Sequence, residues 1–126
     1  MLTNSNYLLR FTVFLFPITV YYAHINEDHL YHTICLLLTC SSLVRYWCAY
    51  VTPTISWVDR IVAHLCYAMC AHTHLVEFPN LSGGMCLLAV LTLWVYEHYV
   101  YDWALWHALL HLNAFIGIIL AIQAAH

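Results

Sequence analysis

Along the chain, long apolar runs alternate with short polar breaks. The runs cover residues 8–23, 30–50, 59–76, 84–101 and 103–124. A helix needs about 20 mostly apolar residues to cross the hydrocarbon core of a bilayer, and each run approaches that length. The breaks carry their own punctuation: HINEDH at 24–29, Thr52-Pro53-Thr54, and PNLSGG at 79–84, with Pro and paired Gly expected to stop helices. The fourth run is the weakest, ending in the polar stretch YEHYVYD. The pattern predicts an all-α protein, a polytopic transmembrane bundle of about five helices in one domain over 1–126, without internal repeats. Short connections imply antiparallel neighbours.

Composition removes the soluble alternative. The chain is 64% hydrophobic and 7% charged, against roughly 25% charged in soluble domains, and its mean hydropathy is +0.77. A net charge of −3 with three arginines and no lysine excludes a nucleic-acid partner, which needs a dense basic footprint. The first run could imitate a signal peptide. It lacks a small-x-small cleavage site and holds Pro17 in its middle, so it reads as a retained helix. With an inside N-terminus, Arg10, Arg45 and Arg60 all fall on the inside, and Glu27, Asp28 and Glu77 on the outside. Trp47, Tyr50, Trp57, Tyr99, Tyr101 and Trp103 gather at the same inner boundary, as interfacial aromatics do. The expected topology is N-in, C-out.

Ten histidines are the unusual feature. His24, His29, His32, His72 and His74 form an outer layer with Glu27, Asp28 and Glu77, either a solvated rim or a metal- or pH-responsive one. In the inner layer, His107 and His111 lie four apart on the last helix, so one face presents both rings. Ser42, Asp59 and His64 fall at comparable depth, and the five can converge. Zinc would take His107, His111 and His64 with Asp59 as orienter or base. Haem, a less favoured alternative, would take axial imidazoles such as His64 and His107. Each residue also has a plainer role. Asp59 can close a capping box with Ser56, Asp102 can cap the last helix, Ser42 can bond its own backbone, and the histidine pair can serve as polar packing between helices. The six cysteines form no C-x-x-C pair and read as small packing residues, Cys66 and Cys70 sharing one helix face.

The run Asp102-Trp103-Ala104-Leu105-Trp106-His107-Ala108-Leu109-Leu110-His111 resembles the final-helix W-H-x-x-x-H motif of the CREST superfamily, which includes alkaline ceramidases, progestin and adiponectin receptors and myomaker-like proteins. The resemblance implies a seven-helix membrane fold and, in the hydrolases, a zinc site that cleaves lipid amides. Ser42 and Asp59 would match the family's early serine and the aspartate of the next helix. Two departures stand out. Tyr46 occupies the place of a histidine ligand four residues after the serine, so His64 would have to replace it, and two helices are missing.

A small bundle with no soluble domain fits a non-catalytic accessory or structural subunit of a larger membrane complex. Its expected partners are the lipid bilayer and other membrane-protein subunits. An energy-converting organellar membrane, such as the mitochondrial inner membrane, is the expected location. The alternatives are a CREST-like zinc-dependent lipid amide hydrolase or its inactive reduced relative, a haem- or pigment-binding subunit, and a small transporter or channel.

Overall fold

The computed structural model describes residues 4–48 and 51–126. Its first rod is broken once. Helix α1 (Asn4–Thr12) passes through a 3-10 turn at Val13–Leu15 into α2 (Phe16–Ile25). Pro17 sits in the first turn of α2, where its missing N–H removes a backbone bond to the preceding turn. Glu27 then takes φ 54° in the turn that follows, a left-handed conformation common just past helix ends. Helix α3 (His29–Trp47) begins where Asp28 accepts a hydrogen bond from the Tyr31 amide at 3.0 Å.

Helix α4 (Pro53–His72) starts six residues earlier than the apolar run suggested. Thr52 caps it by accepting from the Ile55 amide, and Pro53 provides the first-turn φ. It continues through a π-helical turn at Thr73–Glu77, which turns both Thr73 and His74 into the bundle. Helix α5 (Leu81–Tyr96) is capped by Asn80, whose Oδ1 accepts from the Gly83 amide. Gly83 and Gly84 therefore lie inside α5 rather than stopping a helix. A 3-10 turn, Glu97–Tyr99, leads to α6 (Trp103–Ala125). Asp102 occupies the N-cap position of α6 without a side-chain cap bond.

Among the described residues, three stretches are long and apolar enough to cross a membrane: Asn6–Ile25, Leu81–Tyr99 and Trp103–Ala125. This falls short of five such spans. Helices α3 and α4 have comparable lengths of 19 and 20 residues, but histidines, serines, Arg45, Asp59 and Arg60 dilute their apolar character. The fold is an all-helical bundle consistent with a small multi-span membrane protein.

Around the bundle the rods run in the order α4, α3, α1–α2, α6, α5. The central core joins Phe16 and Ala23 of α2, Ile34, Cys35 and Leu38 of α3, Cys66 and Cys70 of α4, and Ile118, Ala121 and Ile122 of α6. A second cluster packs Leu9 against Ala104 and Ala108, where alanines four apart let α1 approach the α6 backbone closely. Helix α5 lies along α6 and meets α4 only sparsely, so the ring stays open along the α4–α5 seam.

At the end away from the arginines His74 closes that seam. It is 1% exposed. Its Nε2–H donates to the Gly117 carbonyl at 2.9 Å, while Nδ1 accepts from the Asn80 side-chain amide at 2.9 Å. The ring lies where a Cβ on Gly83 would stand, whereas a Cβ on Gly84 would meet nothing. Gly83→Ala is therefore expected to displace His74 and cost about 1–3 kcal/mol. Gly84→Ala should be neutral or stabilising by up to about 1 kcal/mol. Denaturant unfolding of the two variants in detergent micelles checks the contrast.

Candidate functional site

One face of α3 carries Ser41, Ser42 and Arg45, within just over one helical turn. Across from it, in the second turn of α4, stands Asp59, 4% exposed. Both serine hydroxyls donate to Asp59 Oδ1 at 2.9 Å, and Arg45 Nη1 donates to Oδ2 at 3.0 Å. A carboxylate in so apolar a bundle demands such partners, since charge removed from water must be paired and hydrogen-bonded. Asp59 is thus no helix cap, because α4 begins at Pro53 under Thr52. Ser42 bonds a neighbouring helix and not its own backbone.

Next to this cluster, Tyr46 reaches α6. Its hydroxyl donates to His107 Nε2 at 2.9 Å, and His107 Nδ1–H donates to Glu97 Oε2 at 2.7 Å. The carboxylate can only accept, so Nδ1 is the donor to it and Nε2 accepts the tyrosine O–H. His111 stacks edge-on with His107, ring centroids 4.7 Å apart. Thr12 donates its hydroxyl to the Leu9 carbonyl at 2.8 Å, so its oxygen accepts from His111 Nδ1–H at 3.0 Å. Arg45 also stands 5.0 Å from the Tyr46 ring centre, which links the two networks.

The structure brings Ser42 and Asp59 into direct contact and places His107 and His111 beside them around one cleft. His64 takes a different position. It is exposed on the rim, its Nδ1–H donating to the Arg60 carbonyl of its own helix at 2.6 Å and its ring edge-on to Trp94 at 5.9 Å. The zinc expectation is corrected here: among the described residues, no group of three or more His, Cys, Asp or Glu is arranged to hold a metal ion. The physical reason lies in the partners. Asp59 is held by two hydroxyls and a guanidinium, and His107 already bridges Tyr46 and Glu97.

At the opposite end, His24 and His32 face each other at 5.8 Å, and His126 Nε2 pairs with Asp28 Oδ2 at 2.9 Å. His72 pairs with Glu77 on the exposed π turn. Tyr50 of the expected aromatic belt lies outside the described residues.

Ser41, Arg45, Tyr46, Glu97 and Thr12 are the participants that sequence reasoning missed. One signal was available. A buried Asp on α4 needs a cation, and Arg45 shares a helix face with the Ser42 already singled out.

The chain matches no protein-family model, no curated protein and no solved structure.

The networks give a measurable hierarchy. Arg45→Ala leaves a buried carboxylate without its cation and should cost about 3–5 kcal/mol. The double variant Arg45→Met/Asp59→Leu removes both charges and should be less destabilised than Arg45→Ala alone. Tyr46→Phe should cost only about 0.5–1.5 kcal/mol. Unfolding free energies of the four proteins, measured in one detergent, check the order.

Proposed function

We propose that this chain is a small multi-pass membrane protein with five helices through the bilayer, serving as a non-catalytic accessory or structural subunit of a larger membrane complex. The observation that carries this reading is the placement of α5. Only 11% of its span is buried within the bundle, against 33% for α6. Leu81, Met85, Leu88, Leu91 and Val95 leave it as an apolar surface, fit for lipid or for a neighbouring subunit's helix. The ionisable side chains support the same reading. Asp59 and His107 join helices to one another, as interhelical polar contacts do in membrane bundles. On the sequence reading alone, an organellar inner membrane such as the mitochondrial one is the proposed host.

A second reading has one observation in its favour. Ser42 bonded to Asp59, with His107 and His111 in the same layer, would suit a reduced CREST relative that kept the arrangement without the reaction. The two readings differ in assembly.

Extraction from the native membrane in a mild detergent tests the proposal. The expected particle is many times 14.6 kDa with fixed partners. A particle of one or two chains overturns the subunit reading and favours a self-contained protein. His107→Ala, which releases both Tyr46 and Glu97, is expected to lower recovery of the large particle while far-ultraviolet circular dichroism stays helical.

A further inference from the structure

The open α4–α5 seam encloses a cleft of about 390 Å³, within the range of small-molecule sites. Its walls are Leu38, Leu87, Val90, Leu91 and Ile118, while Ser42, Asp59, His107 and His111 also line it. These polar residues belong to the arginine end of α3, α4 and α6. The cleft is therefore amphipathic along its length. Its rim includes the exposed Ala63, His64, Leu91 and Trp94, so it opens sideways, toward the lipid that would surround these helices.

Hydrogen-bond directions define what the polar end can still recognise. Arg45 is neutralised by Asp59 through Nη1, both Asp59 oxygens accept from protein donors, and His107 has partners at both nitrogens. Arg60 stacks over Trp57 at 5.4 Å and lines the cleft at its α4 edge. Two imidazoles offer acceptors. His111 gives its Nδ1 proton to Thr12, and His64 gives its own to the Arg60 carbonyl. In the neutral ring each then keeps Nε2 as a lone-pair acceptor. His111 lines the cleft with its Nδ1 side turned to Thr12 of α1, and among the described residues no buried side-chain nitrogen or oxygen lacks a partner, so its Nε2 is open to a ligand.

We infer that the cleft binds a neutral membrane amphiphile through a hydroxyl head group that donates to His111 Nε2, with the apolar body lying along α5. A carboxylate or phosphate head fits poorly at His111, because it brings acceptors to an acceptor; such a head would instead have to turn to Arg60 at the cleft's α4 edge. Sterols and monoacylglycerols both carry the required hydroxyl. The inference goes beyond the subunit reading and stands or falls separately, since it concerns this chain's own cleft.

The test uses the full chain in phosphatidylcholine nanodiscs with two photoactivatable probes, a 3-hydroxysterol and a monoacylglycerol. Crosslinks are mapped by mass spectrometry. Saturable labelling of α5 or α6 is expected from at least one probe, and which one labels identifies the source of the hydroxyl. Unlabelled hydroxysterol or monoacylglycerol should compete, while the matching 3-ketosteroid, which has no hydroxyl to donate, should compete about tenfold less well. His111→Phe should lower labelling about tenfold, the equivalent of about 1.4 kcal/mol. Ala63→Trp, on the exposed rim, should block entry with His111 unchanged, so the result does not hang on how well His111→Phe folds. Equal competition by the ketone, stronger competition by a fatty acid, or labelling indifferent to Ala63→Trp would each overturn the inference.

Discussion

Asp59 is the constraint on which the rest of the bundle depends. A carboxylate taken out of water carries a penalty on the order of several kcal/mol unless it is paired and hydrogen-bonded. The chain answers with three donors from one face of α3. Those donors meet Asp59 in only one rotation and one register of α3 against α4, so the pairing fixes both. Tyr46, next to Arg45 on α3, extends the same constraint to His107 of α6 and from there to Glu97.

The open seam follows from this arrangement. Helix α4 is drawn to α3 by its charge, while α5 is held to α6 by close packing. Between α4 and α5 no ion pair like Arg45–Asp59 forms among the described residues, and near the arginine end the exposed His64–Trp94 edge contact is what links them. Tyr67 does reach the Leu87 carbonyl at 2.9 Å, and the π turn inserts His74 beside Gly83 at the far end. These contacts close one end of the ring and leave the other lined by the polar layer. The cleft is thus a product of where the polar residues were placed, and the apolar outer face of α5 is its counterpart.

Much of the fold was legible because apolar runs and helix punctuation report local energetics. The boundaries of α6 and of α3 up to Trp47 fall close to the runs that predicted them. Misplaced boundaries share a cause: Pro53 and Gly83-Gly84 read as stops, yet proline suits a first helical turn and Gly83 is required by the His74 ring. Depth counting brought Ser42, Asp59, His107 and His111 to one layer. It gave no access to helix rotation, which put His64 on the rim and Tyr46 at the centre. Hydrogen-bond partners such as Thr12 and Glu97, 99 and 10 residues from their histidines, depend on tertiary packing and leave no local pattern.

The most direct measurement is a through-space nitrogen–carbon correlation by magic-angle-spinning NMR, on isotope-labelled protein in lipid bilayers. It asks whether the Arg45 guanidinium and the Asp59 carboxyl carbon are in contact. The expected result is a cross-peak between them that vanishes in Asp59→Asn/Arg45→Gln. An Asp59 carboxyl that correlates with water and not with Arg45 would contradict it, and the register of α3 against α4 would need another cause.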